Sequence, residues 1–192
     1  MVDPLSLKTY IVELKLSSFN KLPLQFKDSN NNIILTAGIG LAIPHMAISI
    51  ENPVTGNTVC TIVEKPLAVP PQFEVHEGDS SGKIISIIKR SANLGSFLGR
   101  ALGVAGNLNI ADSSGNVLAS VTGDFMTHNY TIADDKDNII ANIYTDNEGS
   151  VGSLISGSLK HRYSLNITDN TKISTLDILS CIAVIELLTN NR

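Results

Sequence analysis

The chain has 192 residues, 43% of them hydrophobic and 17% charged, with a formal net charge of −4. That length and composition predict one folded domain over residues 1–192 with a full core, and exclude a disordered chain. The acidic balance excludes general nucleic-acid binding and argues against a polybasic anchor, because no basic excess is available to meet phosphates.

The elements follow a repeating unit: a short alternating strand, an Asp/Asn/Gly turn, and a second apolar strand. Tyr10-Ile11-Val12-Glu13-Leu14 opens the chain. Leu24 to Leu35 forms the first unit, turning at Asp28-Ser29-Asn30-Asn31-Asn32. Ile48 to Val63 forms the second, turning through Gly56-Asn57. Lys65-Pro66-Leu67-Ala68-Val69-Pro70-Pro71 cannot be regular ladder, since proline lacks the donor, and is read as an extended crossing. Phe73 to Ile88 forms the third unit. The segment 93–103 carries glycines four apart, which on a helix would line one side. Leu108 to Ala119 and Tyr130 to Ala141 are the fourth and fifth units, and Tyr163 to Asp169 opens a sixth. Asp, Asn and Gly at the joints supply the left-handed backbone and local caps of tight hairpins.

The sixth unit runs into a long helical pattern, about 173–189. Ser174 and Asp177 make a capping pair, with the acid at the positive end of the helix. Beyond the cap the segment is apolar on nearly every side, so something must wrap it. The run is shorter than a membrane span, which takes ~20 apolar residues, and it carries Asp177 and Glu186. About twelve mostly antiparallel strands tend to curl, and closure removes their edges. The predicted fold is therefore all-β with one central helix: a closed, mostly antiparallel barrel of about twelve strands around a hydrophobic C-terminal α-helix. Ile178, Leu179, Ile182, Ile185 and Leu188 should be among its most buried residues.

The segment Tyr130-Thr-Ile-Ala-Asp-Asp-Lys-Asp-Asn-Ile-Ile-Ala-Asn-Ile143, then Tyr163-Ser-Leu-Asn-Ile-Thr-Asp169 and the helix from Ile173, resembles the LURP-one-related family. That family lies within the Tubby-like and phospholipid scramblase superfamily. The resemblance spans nearly the whole chain and implies a twelve-stranded barrel around a central C-terminal helix. Tubby-like domains bind phosphoinositides, and scramblases are associated with calcium-dependent lipid movement. The chain departs from scramblases in lacking a proline-rich N-terminal arm, a cysteine cluster and a dense acidic run before the helix. Asp169 and Asp177 are too sparse for a calcium loop.

No catalytic constellation emerges. Gly78-Asp79-Ser80-Ser81-Gly82 has nucleophile-elbow spacing, but strand-like Lys83-Ile84-Ile85-Ser86-Ile87-Ile88 follows where that motif needs a helix. His45, His76, His128 and His161 stand alone, without a second ligand at zinc spacing. Asp134-Asp135-Lys136-Asp137-Asn138 lacks the length and glycine of a calcium loop. Gly38-Ile39-Gly40 lacks the third glycine of a phosphate loop. No cofactor is expected. Two basic sets could contact anionic headgroups. One comprises Lys83, Lys89, Arg90 and Arg100, the other Lys160, His161 and Arg162.

The functional expectation is a non-enzymatic binding or scaffold module contacting anionic phospholipid headgroups through Lys89, Arg90, Arg100, Lys160 and Arg162. The alternative is a scramblase-like protein whose helix enters the bilayer. The expected partner is an anionic membrane surface or a protein. Met1-Val2-Asp3-Pro4 lacks the features of a secretion signal, which predicts a cytoplasmic location, peripheral to the membrane. Of the two cysteines, Cys60 and Cys181, the second sits in the apolar helix and reads as a buried reduced thiol, which agrees with that location. Asn129-Tyr130-Thr131 and Asn166-Ile167-Thr168 read as chance glycosylation matches.

Overall fold

The computed structural model describes residues 3–15, 24–42, 45–91, 107–124, 129–145 and 159–190. Twelve strands run in chain order. They are β1 (Thr9–Lys15), β2 (Leu24–Lys27), β3 (Ile33–Ala42), β4 (His45–Glu51), β5 (Thr58–Glu64) and β6 (Gln72–Glu77). After them come β7 (Ile84–Arg90), β8 (Leu108–Asp112), β9 (Val117–Asp124), β10 (Asn129–Asp134), β11 (Ile139–Thr145) and β12 (Leu159–Ile167). Each pairs antiparallel with its chain neighbours, and β1 pairs with β12, from Thr9 opposite Asn166 to Lys15 opposite Leu159, closing the barrel. The one described helix, α1 (Thr175–Asn190), follows β12 and fills the lumen.

Three of the five tight hairpin turns are built by one device. In Asp28–Asn32, Asp112–Asn116 and Asp134–Asn138, the Asp Oδ1 accepts the backbone N–H groups two and four residues on. The Asn side chain donates back to the Asp Oδ2 at 2.9–3.0 Å. The fourth position has positive φ: 66° at Asn31, 89° at Gly115 and 62° at Asp137. Asn, Gly and Asp tolerate that left-handed backbone better than other residues do.

An apolar pair after four of the five turns, and Thr58-Val59 after the other, breaks the alternation. Phe26 pairs with Leu35 but Lys27 with Ile33, leaving Ile34 as an extra residue. The same bulge leaves Val59, Ile85, Leu118 and Ile140 extra in the other four tight hairpins. A bulge turns an additional side chain toward the barrel axis. Ile34, Val59, Ile85 and Leu118 pack against the core, Ile140 is buried, and Leu5 and Leu7 join them. These residues line the mouth through which α1 enters.

The helix begins where its cap predicts. Ser174 N–H and Oγ donate to Asp177 Oδ2 at 2.9 and 2.7 Å, and Asp177 N–H donates to Ser174 Oγ at 3.2 Å. Ile173 and Ile178, the two positions of a hydrophobic staple, are both buried. Ile178, Leu179, Ile182 and Ile185 are 0–1% exposed. Leu188 is only partly buried, because it lies in the last turn of α1.

A second sequence expectation is corrected. The segment 65–71 is not an extended crossing, because β5 and β6 are adjacent antiparallel strands and it is the connection of their hairpin. Lys65 N–H donates to Gln72 O at 2.8 Å and Ala68 N–H to Lys65 O at 3.4 Å, so the prolines stand outside the ladder. The glycine-spaced segment 93–103 lies outside the described residues.

Candidate functional site

In the lumen, polar groups are satisfied mostly by one another. Tyr163 Oη donates to Glu186 Oε1 at 3.1 Å, with both residues buried. Burial, and then the Glu186 charge, push the Tyr163 phenol well above its usual range. Cys60 Sγ and Ser180 Oγ are 3.6 Å apart. Burial pushes the Cys60 thiol up to about 11 and the Cys181 thiol up to about 12, so neither is a thiolate at neutral pH. Asp177 Oδ1 is buried and has no hydrogen-bond partner among the described residues. These groups are pieces of a packed core, and α1 occupies the space a substrate would need.

Function therefore has to be sought on the outside, where the two rims differ. Alternate connections of an up-and-down barrel lie at opposite ends. The turn rim holds the β2–β3, β4–β5, β6–β7, β8–β9 and β10–β11 turns and the start of α1. It carries Asp28, Asp79, Asp112, Asp134, Asp135, Asp137 and Asp169. The Asp134 carboxyl lies far below its usual range, because Asn138 and then Lys172 donate to it, and Lys172 also pairs with Asp135 at 2.6 Å. Cations are present there too, at Lys8, Lys83, Lys136 and Lys172.

The far rim gathers basic residues at strand ends. Lys15 ends β1, Lys65 follows β5, Arg90 ends β7 and Lys160 is the second residue of β12. Glu64 and Asp124 are the acids at strand ends there. Lys15 and Lys65 escaped the sequence reading because each is isolated in the chain; closure brings them to one rim.

The predicted contact residues fall in different settings. Lys89 is on β7, but its ammonium donates to Gly115 O at 3.2 Å, back toward the turn rim. Arg90 N–H donates to Pro71 O at 3.3 Å, tying β7 to the β5–β6 connection. Arg162 Nη1 lies 3.7 Å from Glu13 Oε1, and Glu13 Oε2 is 2.7 Å from Lys27 Nζ. These three charges form a network on the outer wall where β1 meets β2 and β12. Arg100 lies outside the described residues. β7 and β12 are five strands apart in the ring of twelve. Strand spacing and tilt give a backbone diameter of ~24 Å, so the two basic sets stand nearly a diameter apart. They cannot grip one headgroup together.

The remaining motifs resolve as structure. Ser80 lies in the β6–β7 turn with strand β7 after it. His76 Nδ1 is 3.0 Å from Gly82 O, and His76 Nε2 is 3.7 Å from Glu74. His45 and His161 are on β4 and β12; His128 lies outside the described residues. Among the described residues no three His, Cys, Asp or Glu side chains are grouped to hold a metal ion, and no helix is long and apolar enough to cross a membrane.

A family model described as LURP-one-related matches residues 8–185. An X-ray structure of a protein from Arabidopsis thaliana superposes with a TM-score of 0.62 at 13% sequence identity. The alignment covers 96% of this chain and 92% of that one, a likeness of fold. No curated protein matches the sequence.

Proposed function

The chain belongs to the LURP-one-related family, and on that premise we propose that it is a non-enzymatic binding module that lays its far rim on an anionic phospholipid surface. The observation that carries this reading is the polarity of the barrel. The acidic residues of the tight turns crowd one rim, while Lys15, Lys65, Arg90 and Lys160 lie at or next to strand ends at the other and outnumber Glu64 and Asp124 there. A protein with net charge −4 can thus present a basic end. Because the cations stand around a ring, they suit a flat anionic face better than a single headgroup. Each lysine or arginine near such a surface contributes ~1 kcal/mol, lost as salt screens it. The same reading places the protein at the cytoplasmic face of a membrane, as a peripheral partner of anionic lipid.

Flotation of detergent-free protein with phosphatidylcholine vesicles, with and without phosphatidylserine, tests it. Binding should need the anionic lipid, fade with salt, ignore calcium, and fall on charge reversal of Lys15, Lys65 and Lys160 together. Absence of flotation, or flotation indifferent to salt, would refute it. Binding that resists high salt and extracts only with detergent would instead support insertion of α1, which requires opening the barrel around it.

A further inference from the structure

We infer that the β5–β6 connection, residues 65–71, is a membrane-insertion tip that sets Leu67 and Val69 into the interfacial layer of an anionic bilayer; this rests on the reading above and deepens it. Leu67 is 100% exposed and Val69 95% exposed. No neighbouring side chain shields either, so both stand clear of the barrel. Among the described residues the other large exposed aliphatics are more sheltered: Ile33, Val54, Val117 and Ile139 range from 39 to 69%, all on or beside the acidic turn rim. The connection belongs to the far rim, beside Lys65, whose side chain is 51% exposed, and Arg90, whose amide holds Pro71, with Glu64 and Glu74 on its flanking strands. The Lys65–Glu74 pair, at 3.1 Å, is exposed enough to reopen toward phosphate at little cost.

The backbone suits a poorly hydrated layer. Unmet N–H groups are costly away from water. Pro66, Pro70 and Pro71 have no N–H. Those of Lys65 and Ala68 are already bonded, to Gln72 O and Lys65 O. Only Leu67 and Val69 keep an N–H without a partner among the described residues, and headgroup oxygens can accept those. Leu67 also holds φ at 60°, an uncommon value for a bulky side chain. A protein partner would need a pocket shaped to two protruding side chains, whereas a bilayer interface admits them without one. Apolar burial supplies the hold, and the flanking cations supply the attraction to anionic lipid.

The chain contains no tryptophan, so Leu67→Trp is a clean reporter. Val54→Trp, on the opposite rim, is the control. Vesicles of phosphatidylcholine and phosphatidylserine, with and without dibrominated acyl chains, are the probe. Leu67→Trp emission should shift to the blue and be quenched by the brominated lipid, while Val54→Trp emission does neither. The double variant Leu67→Ser/Val69→Ser should bind about tenfold more weakly or worse, with an unchanged thermal melt. If wild-type protein floats while the reporter is silent and the double variant binds equally, the inference falls and the peripheral reading stands. If wild-type protein does not float, both fall. A blue shift that needs no vesicles and grows with protein concentration would make the tip a protein-docking surface, overturning the lipid assignment.

Discussion

Truncations on opposite sides of α1 test directly whether the barrel wraps the whole helix. Ile182 is 1% exposed and Leu187 2% exposed. At ~100° per residue the two project ~140° apart around the axis. On a helix lying on a surface, one of the two would face solvent, and its truncation would be nearly neutral. Inside the barrel both leave cavities in close-packed surroundings. Ile182→Ala and Leu187→Ala should each cost about 2–5 kcal/mol. A domain stable by ~5–15 kcal/mol keeps folding through such a loss, but with a much reduced margin. With a urea m-value of ~2–3 kcal/mol/M, each variant should lower the unfolding midpoint by roughly 1–2 M at unchanged m. Equilibrium urea unfolding followed by far-UV circular dichroism reads both quantities. The more drastic Ile182→Asp, which puts an unpaired charge in the lumen, should give no folded protein. A Leu187→Ala midpoint equal to wild type, or soluble folded Ile182→Asp, would refute the enclosed helix.

Tyr10 and Tyr163 are both pushed above their usual range, chiefly by burial. A raised folded-state value gives stability that is whole below the unfolded-state value of ~10 and is lost as pH rises above it. Urea stability should therefore fall above that pH, and phenolate absorbance should show two tyrosines silent until the protein unfolds. Cys60 and Cys181, at about 11 and about 12, should resist an aromatic disulfide reagent at pH near 8 in the native state and react fully in denaturant. Gly123 has φ of 151° on β9, and a Cβ there would collide with the Asn129 carbonyl oxygen. Gly123→Ala should destabilise by roughly 1–3 kcal/mol, measured as a lowered urea midpoint.

Local pattern carries information at the range of a few residues, and the elements it determined are of that range. Alternation fixed which residues of each strand face inward. The recurring Asp and Asn fixed the turns, because one carboxylate caps its own hairpin without help from elsewhere. The all-round apolar sequence of α1 excluded a surface helix, and the surplus of strands left the lumen of a closed sheet as the place for it. The apolar pairs Ile33-Ile34, Ile84-Ile85, Val117-Leu118 and Ile139-Ile140 also stand in plain view. Period two gives their second member no place, and only the observed registers reveal it as a bulge residue at the barrel mouth.

The candidate surface is different in kind. Lys15, Lys65, Arg90 and Lys160 are scattered along the chain, and nothing within a few residues of each says that they share a rim. That follows from closure of β1 on β12, a pairing between residues 9–15 and 159–166 that depends on the curl of the entire sheet. The same closure sets Lys89 and Arg162 nearly a diameter apart and brings Arg162 to Glu13 across the seam, while Lys89 donates to Gly115 O of a neighbouring turn. The segment 65–71 shows the limit most clearly. Its prolines announced that it could not be ladder, but its role as a hairpin tip on the basic rim depends on which strands flank it. Side-chain periodicity determines facing; position around the circumference comes from long-range pairing, which tertiary structure alone decides.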